Sequence, residues 1–187
     1  IHYYAASATL FGSEVQGGYE YDGQQYRGAN LFGVHTQLPD AERLGDCIGC
    51  HMNADEAEAA KHTFLPKVAD CNACHAGSSF ETLRGSPATN FEDIQTLQGE
   101  LLTAIQTYAT SGNPVNSPIV YQPGYPYWVT PGGSAYRDAD FTMLTAMYNY
   151  HLTRSDPGGY IHNGIYATEL LYDSIVAMGG TSSVNRP

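Results

Sequence analysis

The sequence has few basic residues and no long apolar run. Lysine and arginine together number 8, against 19 aspartates and glutamates, so the formal net charge is −11 over 187 residues. Such an acidic chain repels a phosphate backbone, which argues against nucleic acid as a partner, whereas basic protein surfaces would be attracted. The simpler alternative is that the charge only keeps the protein in solution. Because no stretch of about 18 apolar residues occurs, no membrane-spanning helix is expected.

Cysteine is scarce, and all of it lies in one kind of motif. The four cysteines occur in Cys47–His51 and Cys71–His75, and both segments read Cys-x-x-Cys-His. This is the pattern of c-type haem attachment, in which two thiols bond to the porphyrin and the following histidine ligates the iron. The sequence therefore predicts two covalent haem c groups, with these residues as thioether and proximal positions: Cys47, Cys50, Cys71, Cys74, His51 and His75.

Three other uses of the cysteines fit less well. Two disulfides, or one zinc ion held by four cysteines, would leave unexplained why a histidine follows each pair. A thioredoxin-like redox pair normally occurs once, beside a βαβ pattern that this chain lacks. An internal repeat also favours haem, because His-Thr-x-Leu-Pro precedes each motif, at His35 and again at His62, with Asp directly before the first cysteine.

Each iron needs a sixth ligand if the haem only carries electrons. The repeat makes His35 and His62 candidates, and His162 is a third because it stands at the entrance of a predicted helix. His151 shares a helical stripe with apolar residues and is expected to be an ordinary core residue. The methionines at 143, 147 and 178 are likewise expected in the core. We therefore predict bis-histidine ligation, and leave open which two of the three histidines serve.

Apolar residues recur at helical intervals in the second half of the chain. They predict helices over Glu92–Thr110, Asp138–Arg154 and Gly164–Met178, the last with Asn163 as N-cap. Loops are expected elsewhere, with a short helix at Asp55–Lys61, a hairpin about Asp22-Gly23, a long loop over Asn113–Gly133 and a disordered tail from Thr181.

These elements predict a mainly α fold with extensive loop, organised around two haems. We expect one domain over residues 1–187, in which a loop-rich segment (1–34) precedes a haem-binding segment (35–80) and a helical segment (81–180).

The chain resembles multihaem c-type cytochromes, among them relatives of pentahaem nitrite reductase and extracellular electron-transfer cytochromes that polymerise into filaments. The two haem motifs, His62-Thr63-Phe64 and the segment Tyr160–Tyr166 carry this resemblance. It implies that His162 ligates a haem, although Gly164 stands where relatives often have proline. It further implies a periplasmic or extracellular protein, and the first residue, Ile1 rather than Met, fits a secreted chain whose signal peptide has been removed.

Two functions of different classes remain. The first is electron transfer, not enzyme catalysis, either as the subunit of a filament in which identical subunits are the partners or as a soluble shuttle between redox proteins. The second is a haem enzyme of nitrite, hydroxylamine or peroxidase type, or a gas-binding module. Both of these require an open iron position, and the surplus of histidines argues against one.

Overall fold

The computed structural model describes residues 4–29, 47–51, 65–72, 75, 79–83, 89–112 and 116–187. Within these ranges the chain is mostly helical, with long loops and one small sheet, which confirms the prediction of a mainly α fold. The described elements, in chain order, are α1 (Tyr4–Phe11), α2 (Cys47–His51), α3 (Val68–Asn72), a 3-10 turn (Phe80–Thr82), α4 (Thr89–Ala109), β1 (Val120–Tyr121), β2 (Trp128–Val129), α5 (Phe141–Ser155) and α6 (Gly159–Ala177).

The chain divides into two compact units. The helical unit joins residues 1–28 to residues 91–187, and the haem-motif unit comprises residues 29–90. The predicted short helix at Asp55–Lys61 lies outside the described residues. Whether the chain behaves as one domain stays a prediction. No helix among the described residues is both long enough and apolar enough to cross a membrane.

Helix α4 forms because its apolar residues fall on one face. Ile94, Leu97, Leu101 and Ile105 are spaced three or four residues apart, and their exposed fractions are 8%, 0%, 0% and 0%. Burying side chains of this kind stabilises a fold by about 1.5–3 kcal/mol each. They pack with apolar residues of α5, α6 and the small sheet, so the core of the helical unit lies between these elements.

Helix α5 begins at the N-cap Asp140, whose side chain accepts a hydrogen bond of 2.8 Å from the backbone N–H of Met143. Its buried face includes Met143, Ala146, Met147 and Tyr150, and Met178 of the following helix end is also buried, as predicted for these methionines. The apolar stripe that the sequence assigned with His151 faces outward instead, because Phe141, Leu144 and Tyr148 are 68%, 51% and 45% exposed.

Helix α6 has a kink at Asn163, whose backbone is non-helical with φ −161° and ψ 75°. The Asn163 side-chain oxygen accepts a hydrogen bond of 3.2 Å from the N–H of Tyr166, so it caps the longer part of the helix. This is the N-cap role predicted for Asn163. The additional turn, Gly159–His162, precedes the kink and carries the candidate ligand.

The amino-terminal segment differs from its prediction. It contains α1, which the sequence pattern did not predict, and α1 packs against α5 and α6. The turn at Asp22-Gly23 exists, with Gly23 at φ +79°, but the residues that flank it do not pair as strands. The backbone of Tyr19 is instead bound by the buried amide of Asn149 at 2.7 and 2.9 Å. Tertiary hydrogen bonds therefore replace the expected hairpin ladder.

Two further expectations about loops were wrong. The Asn113–Gly133 segment contains a short antiparallel ladder, in which Val120 pairs with Val129 and Tyr121 with Trp128. The carboxyl-terminal tail is fixed rather than disordered. Ser182 and Ser183 donate hydrogen bonds to Glu100, and the Arg186 guanidinium is 2.9 Å from the Asp173 carboxylate. These partners lie far away in sequence, so local composition gave no sign of them.

Candidate functional site

The first Cys-x-x-Cys-His motif forms a helix of its own, α2. In a helix, residues three and four positions apart lie on the same side, so Cys47, Cys50 and His51 are gathered on one face. Both cysteines are exposed and the histidine is half-buried. Cys47 is a free cysteine, which argues against a disulfide at this position.

The second motif begins in helix α3, which contains Cys71 and Asn72. The N–H of His75 donates a hydrogen bond of 2.8 Å to the carbonyl of Cys71, four residues earlier. Cys71 is half-buried and its thiol lies 3.8 Å from the Lys67 carbonyl, while His75 is exposed. Cys74, the other predicted thioether position, lies outside the described residues.

These two motifs suit the chemistry of a haem c group. Each motif offers thiols and an imidazole, and its described side chains are half-buried or exposed, so a porphyrin edge could bond to them. Once bound, haem c supplies an iron that changes between two oxidation states. The cysteines of the motifs would be its covalent anchors, and the histidine that follows them its proximal ligand.

Three or more metal-binding side chains are not brought together anywhere in the ranges that the structure describes. A zinc site of four cysteines would need Cys74, so it falls outside those ranges.

The described candidate for a sixth ligand is His162, in the first turn of α6. Its side chain is 20% exposed, and its Nδ1 lies 2.9 Å from both carboxylate oxygens of Asp156. Asp156 follows the last residue of α5, and its side chain is 2% exposed. A metal-ligating histidine typically donates its other ring N–H to a carboxylate, which fixes the tautomer and the orientation of the ring. The structure therefore gives His162 a carboxylate partner of the kind that ligating histidines commonly have, and its role as a sixth ligand stays a prediction.

His151 has a different setting. Its Nδ1 lies 3.2 Å from the Tyr121 hydroxyl and its Nε2 lies 3.4 Å from the Ser155 hydroxyl. The Tyr127 ring packs against it with ring centroids 4.1 Å apart, and burial lowers the pKa of the imidazole. Because both ring nitrogens have partners within the helical unit, His151 is a hydrogen-bonded structural residue, although it lies on a partly exposed face.

The structure describes only one of the three predicted sixth ligands. His35 and His62 lie outside the described residues, so their assignment as sixth ligands stays a prediction. The sequence pattern gave no indication of Asp156, which directly precedes Pro157-Gly158-Gly159 in the turn between α5 and α6. A carboxylate six residues before a histidine, across a turn, is not a recognisable pattern. Only the fold shows that the two side chains meet.

Comparisons with known proteins agree with the motifs. The chain is 30% identical over 206 aligned positions to the C-type polyheme cytochrome OmcB of Geobacter sulfurreducens, in two strains, and 30% identical to OmcC of the same species. The alignments cover 93% of this chain but only 25–26% of those proteins, so the chain spans about a quarter of the length of the curated relatives it matches. No family model and no solved structure matches. Over nearly its whole length, the chain is homologous to part of the c-type polyheme cytochromes.

Proposed function

We propose that this chain carries electrons through two covalently attached c-type haems and is not itself an enzyme. The observation that carries the proposal is the pair of Cys-x-x-Cys-His motifs, whose described cysteine and histidine side chains are exposed or half-buried. Homology to polyheme cytochromes supports it. Cys47 and Cys50 anchor one haem, with His51 as its proximal ligand. Cys71 and Cys74 anchor the other, with His75 beneath its iron.

Histidine also fills the sixth position of both irons in this proposal. His162 supplies one of these ligands, and its contact with Asp156 supports the assignment. His62 or His35 supplies the other, since each precedes a haem motif at a similar place in the repeat. Two imidazoles without a thioether favour a low reduction potential, because methionine ligation raises it.

Two measurements on the purified holoprotein test this function. Intact mass should exceed the mass of the polypeptide by two haem groups, and the ferric protein should give only low-spin paramagnetic resonance signals. The mass of the bare chain would end the haem proposal. A high-spin ferric signal at neutral pH would instead favour the haem enzyme or gas-binding alternative, because it reveals an iron with an open position.

A finer part of the proposal concerns assembly and location. We infer that the chain works outside the cytoplasm, in the periplasm or beyond the cell, and that identical subunits pack into a haem-bearing filament. The exposed apolar side chains of Phe141 and Leu144 on α5 and of Tyr125 on the β1–β2 loop support contact between copies. The alternative is a soluble shuttle that meets other redox proteins. Negative-stain microscopy of the native protein separates the two, and globular monomers at high concentration would exclude the filament.

The likeness to relatives of pentahaem nitrite reductase remains a prediction. It concerns ancestry rather than activity, because the proposed bis-histidine ligation leaves no iron position for a substrate. Nitrite, hydroxylamine and peroxide turnover should therefore be absent from the wild-type holoprotein.

A further inference from the structure

We infer that Asp156 and Gly158 form a preset seat for the His162 ring, so that Asp156 is a positioning residue for an iron ligand. This rests on the proposed function of His162 as a sixth ligand. The seat lies in the turn that joins α5 to α6, and all of its residues belong to the helical unit.

The first part of the seat is a buried carboxylate. Asp156 as a residue is 4% exposed, and both of its side-chain oxygens lie 2.9 Å from Nδ1 of His162. Its backbone carbonyl accepts a hydrogen bond of 3.0 Å from the N–H of Gly159, which closes the turn. A carboxylate is costly to bury unless it is paired and hydrogen-bonded. The imidazole provides that pairing, so the two side chains are fixed together.

The second part of the seat is the surface of Gly158. A Cβ atom placed on this glycine would lie 2.9 Å from Cε1, 3.3 Å from Nε2 and 3.4 Å from Nδ1 of His162. The backbone at Gly158 has φ −91° and ψ 7°, which residues other than glycine adopt. The glycine is therefore needed for the space that the ring occupies, not for its backbone conformation.

The chemical consequence follows from the tautomer. A carboxylate accepts the Nδ1 hydrogen, so in the neutral ring the lone pair resides on Nε2, the atom that would bind iron. The negatively charged carboxylate that accepts the hydrogen bond from Nδ1–H also makes Nε2 a stronger electron-pair donor to a metal. Stronger donation stabilises ferric over ferrous iron, so Asp156 should hold the reduction potential of this haem below the value that an uncharged partner would give.

The experiment compares five variants of the holoprotein. His162→Ala identifies the haem that His162 ligates, because that haem becomes high-spin. Asp156→Asn keeps the shape and a hydrogen-bond acceptor but removes the charge. Gly158→Ala displaces the ring and leaves Asp156 in place. Asp173→Asn is the matched control, since Asp173 is equally buried at 6% exposure but is paired with Arg186 instead of a histidine.

In Asp156→Asn, we expect the haem identified by His162→Ala to stay low-spin while its reduction potential rises. Its ferrous form should also bind carbon monoxide about 10-fold or more tightly, because outer partners of a ligand commonly change affinity by about 10–100-fold. Gly158→Ala should shift the low-spin signal of the same haem. Gly124→Ala is its control, because a Cβ there meets nothing within 4 Å. The other haem and the Asp173→Asn protein should match the wild type.

Two negative results have different meanings. If His162→Ala leaves both haems low-spin, the assignment of His162 as a ligand fails, and the inference falls with it while haem attachment stands. If His162→Ala yields a high-spin haem but neither Asp156→Asn nor Gly158→Ala alters its potential, signal or carbon monoxide binding, then the ligand assignment stands and the seat is disproved. Should Asp156→Asn fail to fold, Gly158→Ala decides the matter alone.

Discussion

The described residues of the helical unit and of the haem-motif unit differ in how many of their side chains are buried. The helical unit has a core in which Leu97, Leu101 and Ile105 are fully buried. In the described part of the haem-motif unit, Leu83 is the one buried side chain, and the helices α2 and α3 have five residues each. Small units often need a metal or cofactor to complete their fold. If the proposed haems are attached, their porphyrins would add apolar surface to the haem-motif unit, whereas the helical unit has a core of its own.

Removal of one pair of predicted thioether cysteines should have the largest effect, because it should destabilise the haem-motif unit and leave the helical unit intact. In Cys47→Ser/Cys50→Ser, we expect the intact mass to fall by one haem and limited proteolysis to cut within residues 29–90, because that unit loses apolar surface that the porphyrin provides. The helical unit should stay resistant. Cys71→Ser/Cys74→Ser is the companion variant and should lose the other haem. A wild-type cleavage pattern in both variants would show that the haem-motif unit does not depend on either haem singly.

The core of the helical unit should respond to a change in a single side chain. Leu101→Ala removes a fully buried side chain from α4. We expect it to lower the free energy of unfolding by about 2–5 kcal/mol, since a cavity adds to the lost burial. Urea unfolding followed by far-ultraviolet circular dichroism measures this. Thr103→Ala, on the exposed face of the same helix, should stay within about 0.5 kcal/mol of the wild type. Equal losses in both variants would mean that α4 does not pack as described.

The carboxyl-terminal tail should contribute less than the core. Arg186 binds Asp173 at 2.9 Å, donates to the carbonyl of Gln25 at 2.6 Å and lies 5.3 Å above the Tyr26 ring. Arg186→Ala should cost about 1–3 kcal/mol, because Asp173 is left buried without its cation. The exposed Arg137 supplies the control, Arg137→Ala, for which no loss of stability is expected. A silent Arg186→Ala would show that the tail does not hold the amino-terminal loop.

Sequence periodicity predicted the positions of the three long helices, although in α5 the stripe with Phe141 is exposed and the buried face is the one with Met143 and Tyr150. Helices α4, α5 and α6 all appear within a few residues of their predicted positions. Helix α1 gave no such signal, since its two buried residues are the small side chains Ala5 and Thr9. The fixed tail was also missed, because its partners, Glu100 and Asp173, are distant in sequence.

The candidate site shows a similar division between motif and fold. Covalent haem attachment requires fixed spacing, so Cys47–His51 and Cys71–His75 can be recognised without a structure. His162 could be proposed from its position before a helix. The contact between His162 and Asp156 depends on how the turn between α5 and α6 folds, and no residue pattern encodes it. Motifs therefore predict where the cofactors attach, whereas the seat of a ligand must be seen in three dimensions.

The smallest expected effect concerns Glu169, a buried acid in the helical unit. It tests whether the free energy of unfolding rises or falls with pH. Glu169 is 6% exposed and accepts a hydrogen bond of 2.7 Å from the N–H of Arg27. Burial raises the pKa of its carboxyl, so the folded chain holds this proton more tightly than the unfolded chain. Burying the ionised carboxylate lowers the free energy of unfolding. This loss is absent below the pKa of the unfolded chain, about 4.3, and develops as the pH rises through the higher pKa of the folded chain.

Glu169→Gln keeps an oxygen acceptor and cannot ionise. Relative to the wild type, its free energy of unfolding should therefore improve as the pH is raised from about 4 towards 7. Urea unfolding at several pH values measures the difference, and Glu92→Gln, on the exposed surface of α4, should show no such trend. If the advantage of Glu169→Gln instead grew towards acid pH, the Glu169 carboxyl would have to be stabilised in its charged form, and the helical unit would contain a buried ion pair rather than a desolvated acid.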